Sequence, residues 1–297
     1  MDPVQKALWY VESHSRKPIT LEEIASVCKI SAFHLTRAFS ATMGLSLMRY
    51  VRARRLSEGA RQLAEGAEDI LTLALDAGYG SHEAFTRAFR DQFGLTPEQL
   101  RAQGNLNNIQ LVEPIVMNST PITDLATPRF ETPAPMLMAG IVERYRCESP
   151  AGIPDQWQKF LPYLGQIPKQ VGKAAYGVCF NFDGEGNFDY MTGVEISFPP
   201  LTKGGQGGAL GSRSIIASEM NLPTGFTSLR IPSQRYAVFA HGGYVASIRG
   251  TFQAIWSQWF PKSGEKPVNG PTLERYGEEF NPQTGMGGFE IWIPIQA

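Results

Sequence analysis

The strongest constraint on this chain is a phrase of four residues that occurs twice. Thr36-Arg37-Ala38-Phe39 returns as Thr86-Arg87-Ala88-Phe89, and Ser31/Ser81, Gly44/Gly94 and Leu45/Leu95 repeat at the same offset. A serine before an apolar-periodic stretch and a glycine behind it are helix start and stop signals. Each copy reads as a short helix, a turn and a second helix opened by the serine, the pattern of a helix-turn-helix. Two such units in one domain demand a helical framework that holds them apart at a set distance.

The neighbouring residues supply that framework. Val4, Ala7, Leu8 and Val11 have helical spacing. Thr20 with Glu23 is a capping box that opens a helix carrying Leu21, Ile24, Ala25 and Val27. Ser31 caps the next helix, with Leu35, Ala38 and Phe39 on its packing face. A longer helix from Leu47 to Leu63 serves as a spacer, with one apolar stripe and a basic side holding Arg49, Arg52, Arg54 and Arg55. The second unit opens at Asp69, turns at Gly78-Tyr79-Gly80, and buries Phe85, Ala88, Phe89 and Phe93. Thr96-Pro97-Glu98-Gln99 begins a final helix with proline at its first position. The expected domain is all-α and spans 1–104, with helix-turn-helix units at about 20–44 and 69–94. A connector over 105–128, marked by Pro114, Pro121 and Pro128, follows it.

From 129 to 297 glycine, proline and aromatics rise, and strand-like alternation replaces helical periodicity. A second repeat runs through this part. Gly193-Val194-Glu195-Ile196-Ser197-Phe198-Pro199 matches Gly288-Phe289-Glu290-Ile291-Trp292-Ile293-Pro294, and Trp157 to Pro162 resembles Trp256 to Pro261. Each half reads strand, helix with tryptophan, then a strand pair. A duplicated α+β unit of this kind pairs into one sheet with helices on one face. The glycine-rich stretch Lys203 to Ser212 lies between the halves and lacks the Gly-Lys-Ser/Thr ending of a phosphate-binding loop.

Composition excludes more than it proves. Net charge is −1, and the first 104 residues carry 13 Lys and Arg against 12 Asp and Glu, so any nucleic-acid footprint is a local patch. Cys28, Cys147 and Cys179 show no zinc or redox spacing, and no histidine pair has ligand spacing, so neither metal nor cofactor is expected. No apolar run reaches membrane-crossing length and no signal peptide opens the chain, so a cytoplasmic location without membrane association is expected.

The candidate DNA-reading residues are Phe33, His34, Thr36 and Arg37 in the first copy and His82, Glu83, Thr86 and Arg87 in the second. A reading helix places its first turns in the major groove, where arginine bonds guanine bidentately or holds a phosphate and threonine touches a thymine methyl or a phosphate. Glu83 suits a cytosine amino group or, equally, the positive end of its own helix.

These stretches, with Val51-Arg52-Ala53-Arg54-Arg55-Leu56 and Gly94-Leu95-Thr96-Pro97, make residues 1 to about 104 resemble the DNA-binding domain of the AraC/XylS family of transcription regulators. The part behind it resembles the GyrI-like effector-binding domains. The resemblance implies two recognition helices in successive major-groove segments of double-stranded promoter DNA, a monomer on an asymmetric site, and contact with RNA polymerase. It also implies an effector-controlled, non-enzymatic regulator. Phe33 stands where the family has tryptophan, Thr36 stands for its glutamine, and His82 and Glu83 replace two further glutamines. A different preferred DNA site follows from these departures.

The expected ligand-binding residues are Glu290, Trp292, Glu195, Tyr190, Tyr276 and Trp157. An acid beside a large aromatic in an otherwise apolar strand suggests a pocket for a small cationic or amphipathic effector. Two other readings stay open: a hydrolase using Glu195 and Glu290 as acid and base, and a protein-binding module with no ligand.

Overall fold

A computed structural model describes residues 2–14, 18–67, 69–115, 125–147, 152–199, 221–282 and 284–297. They fall into two compact units, Met1–Pro121 and Ile122–Ala297. The stretch Lys203 to Ser212 and the middle of the expected connector lie outside the described residues.

The first unit is helical: α1 (Pro3–His14), α2 (Leu21–Cys28), α3 (Ala32–Met43), α4 (Leu47–Ala64), α5 (Ile70–Asp76), α6 (His82–Phe93) and α7 (Pro97–Gln103). Their starts are written in side chains. Thr20 and Glu23 form a reciprocal capping box on α2, Thr96 and Gln99 another on α7, and Ser31, Ser46, Asp69 and Ser81 cap α3, α4, α5 and α6. Each such cap contributes about 1 kcal/mol. The two copies agree down to their ends, where Gly44 and Gly94 stop α3 and α6 in the left-handed region at φ 73° and 78°. Leu56, Leu63, Leu73, Phe85, Phe89 and Leu100 form the core that joins the spacer helix to the second helix-turn-helix.

The second unit is one eight-stranded sheet, antiparallel throughout, in the order β1-β6-β8-β7-β3-β4-β2-β5. The strands are β1 (Arg129–Glu131), β2 (Met136–Arg146), β3 (Gln170–Phe180), β4 (Asn187–Ile196), β5 (Thr227–Ile231), β6 (Tyr236–His241), β7 (Thr272–Tyr276) and β8 (Phe289–Pro294). Each half is the expected strand-helix-strand-strand. One runs β2, α8 (Ile153–Phe160), β3, β4. The other runs β6, α9 (Ile248–Ala254), β7, β8, where α9 continues through a π turn (Ile255–Trp259) into Phe260–Ser263. The halves meet where β3 pairs with β7. Strand alternation sorts side chains onto two faces. Met138, Tyr176, Val178, Met191, Val238, Leu273 and Trp292 belong to one core cluster, while Tyr190, Thr192, Glu274 and Ile291 point the other way.

One charged centre sits inside the helical unit. Arg54, expected on the basic side of α4, is buried instead. Its guanidinium forms a fork on Glu12 of α1, Nε to Oε1 at 3.0 Å and Nη2 to Oε2 at 2.9 Å, and Nη1 donates to the Val112 carbonyl at 2.7 Å. Tyr50 donates to the same carboxylate at 2.6 Å and accepts the Ile115 amide at 3.1 Å. The Val112 amide donates to Ser57 at 2.9 Å. Residues that read as connector are therefore bound along the spacer helix, and Leu106, Ile109 and Leu111 pack on its core. Burial pushes the Glu12 carboxyl up, but the bonds from Arg54 and Tyr50 outweigh it and hold it below its usual value. Removing one partner of a buried, hydrogen-bonded ion pair leaves the other uncompensated, at a cost of about 3 kcal/mol. Arg54→Ala should lose that much in urea unfolding. Arg54→Lys should recover only part, because an ammonium has no planar fork. A loss under 1 kcal/mol for Arg54→Ala would show the pair to be unimportant.

Candidate DNA-reading helices and effector cavity

The two recognition-type helices share caps but not exposure. On α6, Glu83 and Arg87 are exposed and His82 is half-buried. His82 pairs through Nε2 with Glu98 of α7 at 2.8 Å. Glu83 is held below the ordinary carboxylate range by hydrogen bonds from its own amide and from Ser81. That is the behaviour of an acid at the positive end of a helix. Thr86 is half-buried with its hydroxyl oxygen enclosed. On α3, Phe33 is half-buried, and His34, Thr36 and Arg37 are buried along with Leu35, Ala38 and Phe39. Burial lowers the His34 pKa to about 4, so its ring is neutral at pH 7.

The second unit holds a cavity of ≈ 440 Å³. Its floor is the sheet, at Tyr190 of β4 and Glu274 and Tyr276 of β7. Trp157 and Leu161 from α8 and its end, Tyr244, Val245 and Ile248 at the start of the second helix, and Phe280 complete the walls. The floor is a hydrogen-bonded cluster. Tyr190 donates to Glu274 Oε2 at 2.7 Å, Tyr276 donates to the same oxygen at 3.0 Å, and Trp157 Nε1 donates to the Tyr190 oxygen at 3.1 Å. Burial, and then the charge of Glu274, push both phenols well above their usual pKa. They stay protonated and remain donors. Trp157 meets Tyr276 edge to face at 4.9 Å. Next to Trp157, the fully buried Gln156 donates to the carbonyls of Ile141 and Tyr190 at 2.9 and 3.0 Å, which pins α8 to the sheet.

Of the six expected ligand residues, Trp157, Tyr190 and Tyr276 line this cavity, and Glu195, Glu290 and Trp292 do not. Alternation places the latter three on the opposite sheet face. There Glu290 accepts from Arg129 at 2.8 Å, from Arg275 at 3.5 Å and from the Trp292 indole at 3.0 Å. Burial raises the Glu195 pKa, opposed by Arg275. The acid-base pair of the hydrolase reading thus has Arg275 as an electrostatic partner of both carboxylates. The cavity carboxylate is Glu274. The sequence signal for it is Thr272-Leu273-Glu274-Arg275-Tyr276, where period two puts an acid on the same face as an aromatic. A smaller hollow of ≈ 300 Å³ between α4 and α5, at Arg55, Glu58 and Asp76, has no aromatic wall. Among the described residues no group of three or more His, Cys, Asp or Glu could hold a metal ion, and no helix is long and apolar enough to cross a membrane.

Comparison with known proteins agrees with this division. Residues 126–296 match the family described as a GyrI-like small molecule binding domain, and residues 24–103 match a helix-turn-helix domain. The transcriptional regulator Rob of Salmonella typhimurium is 30% identical over 319 aligned residues, spanning 99% of this chain and 98% of Rob. The multiple antibiotic resistance protein MarA of Escherichia coli K12 is 30% identical over 112 residues, 38% of this chain and 88% of MarA. The structure of SAV2435 bound to tetraphenylphosphonium covers 58% of this chain and 95% of its own at 16% identity, with a TM-score of 0.43.

The buried imidazole of α3 makes a pH prediction. His34 has a folded pKa near 4, against 6.5 for an ordinary histidine. The unfolded chain takes up the proton first, so stability falls as pH drops below 6.5. Between pH 7 and pH 5 wild type should lose about 2 kcal/mol more than His34→Gln does. Equal losses in urea unfolding at the two pH values would mean that His34 is protonated without penalty.

Proposed function

The chain belongs to the Rob-like transcription regulators, with an AraC-type helix-turn-helix domain ahead of a GyrI-like small-molecule-binding domain, and from that premise we propose that the cavity over Glu274 senses an aromatic monocation. The protein is a DNA-binding transcription regulator with a small-molecule-binding domain. We assign DNA reading to 1–104, with Arg87, Glu83, His82 and Thr86 on α6; Phe33, His34, Thr36 and Arg37 on α3 would join them only once the buried His34, Thr36 and Arg37 are uncovered. Residues 129–297 form the effector domain. In this reading the protein works as a cytoplasmic monomer on promoter DNA, contacts RNA polymerase, and acts by binding rather than by turnover.

The observation that carries the effector class is the floor cluster. A carboxylate out of bulk water needs hydrogen bonds or an opposite charge. Tyr190 and Tyr276 both donate to one of its oxygens. A cation entering the cavity would place an opposite charge beside this group, and aromatic faces add about 0.5–2 kcal/mol each. The cavity size suits a compact polyaromatic cation rather than a peptide.

Titration with tetraphenylphosphonium, followed by tryptophan fluorescence, tests this, since Trp157 lines the cavity. Wild type should saturate. Glu274→Gln should bind at least about tenfold more weakly, or 1.4 kcal/mol, while Glu290→Gln should bind like wild type. Neutral triphenylphosphine oxide should bind wild type and Glu274→Gln alike. No saturation by the cation, or equal affinity for Glu274→Gln, would sink the cation reading.

For the DNA side, a duplex would be selected from a random pool by wild type. Arg87→Ala should cost about 1–3 kcal/mol at fixed salt if the guanidinium reads a guanine. Unchanged affinity in a mobility-shift assay would remove Arg87 from the interface.

A further inference from the structure

The cavity floor depends on a residue that contributes no side chain. Gly177 sits in the middle of β3, paired with Glu274 on β7 and Thr192 on β4. Directly paired residues of antiparallel strands project to the same face, so a side chain at 177 would rise from the sheet beside Glu274. A Cβ built there would lie 2.1 Å from the Tyr190 hydroxyl oxygen, 2.8 Å from the ring carbon that bears it, and 2.6 Å from Glu274 Oε2. Those are the two groups whose 2.7 Å hydrogen bond forms the floor. Glycine weakens a strand interior and is found there where something must approach the backbone closely. Here the approaching group is a phenol–carboxylate pair.

We infer that Gly177 is the positioning residue of the effector site: its missing side chain is the space in which the Tyr190 hydroxyl meets the Glu274 carboxylate, and so it sets where the carboxylate faces a bound cation. This rests on the reading that the cavity binds a cation. Tyr190 has little freedom to yield. It is 1% exposed, its oxygen accepts from Trp157, and Tyr145 lies edge-on to its ring at 6.3 Å. Glu274 holds the Tyr276 phenol on the same oxygen. A methyl group at 177 must therefore break the Tyr190–Glu274 contact or turn the carboxylate aside, and either change propagates to both tyrosines of the floor.

The test is a double-mutant cycle in the full chain, with Gly177→Ala, Tyr190→Phe and the two combined. It is read by tetraphenylphosphonium affinity and by thermal midpoint without ligand. Tyr190→Phe removes the atom at 2.1 Å and leaves the ring carbon at 2.8 Å and Glu274 Oε2 at 2.6 Å; with the hydroxyl gone, its bonds to Trp157 and Glu274 no longer hold the ring and the carboxylate end against the added methyl group. Gly177→Ala alone should weaken cation binding about tenfold and lower the midpoint. In the Tyr190→Phe background the same substitution should cost clearly less, in affinity and in midpoint, than it does in wild type. Equal effects in both backgrounds would make Gly177 a residue of general strand geometry and overturn the inference. If wild type itself fails to bind the cation, the effector reading falls, and the coupling of the two thermal midpoints still decides the role of Gly177. Should Gly177→Ala fail to fold, folding of the double variant would support the inference, and failure of both would overturn it.

Discussion

A carboxylate away from bulk water must be surrounded by donors, and the effector half of this protein is arranged around that need at Glu274. Two phenols converge on one of its oxygens. One of those phenols is fixed by an indole on α8, and α8 is tied to two strands by the amide of Gln156. The helix that walls the cavity is thus registered to the sheet by polar bonds as well as by packing. In a low-dielectric interior a hydrogen-bonded network of this kind favours one arrangement, because alternatives leave more of its polar groups unpaired.

The helical half answers a different need. In the proposed reading, two helices that enter DNA are useful only at a set separation, and α4 supplies the ruler. Its position is held by a second polar network, in which Glu12, Tyr50 and Arg54 lock the first helix to the spacer. Gln92, near the end of α6, donates to the Ala53 carbonyl at 3.2 Å and so ties the second reading helix to the same ruler. The backbone of Val112 and Ile115 closes the network. The segment that leaves this domain is therefore bonded to the element that sets the spacing of its reading helices.

Much of this was legible in the residues. The caps at Thr20, Ser31, Ser81 and Thr96 are local chemistry, so they read directly. The duplicated strand-helix-strand-strand unit read from Glu195 and Glu290, because repeats preserve strand segments. The carboxylate of the cavity did not read. Glu290-Ile291-Trp292 and Thr272-Leu273-Glu274-Arg275-Tyr276 both place an acid near an aromatic on an alternating strand, and alternation says nothing of which face carries the helices. That depends on register across β7 and β8, where Glu274 is paired with Ile291. Arg54 escaped for a related reason. Its neighbours Arg52 and Arg55 make the stretch look like a solvated basic side, while its half-buried partner, Glu12, is distant in sequence. Helical periodicity also understated the burial of α3, where His34, Thr36 and Arg37 are buried as well as Leu35, Ala38 and Phe39.

The two edge strands of the sheet are exchanged. β1 precedes the first half in sequence but pairs with β6 of the second, and β5 precedes the second half but pairs with β2 of the first. The halves are laced together, so neither is complete as an isolated fragment. Lacing also raises the mean sequence separation of contacts. Residues 129–131 find partners only when 236–238 have been made. Such non-local pairing slows folding relative to a helical bundle, in which neighbours in sequence are neighbours in space. On the ribosome the helical domain emerges with its own contacts complete, while the sheet lacks β8, the strand that joins β6 to β7, until the last residues are released.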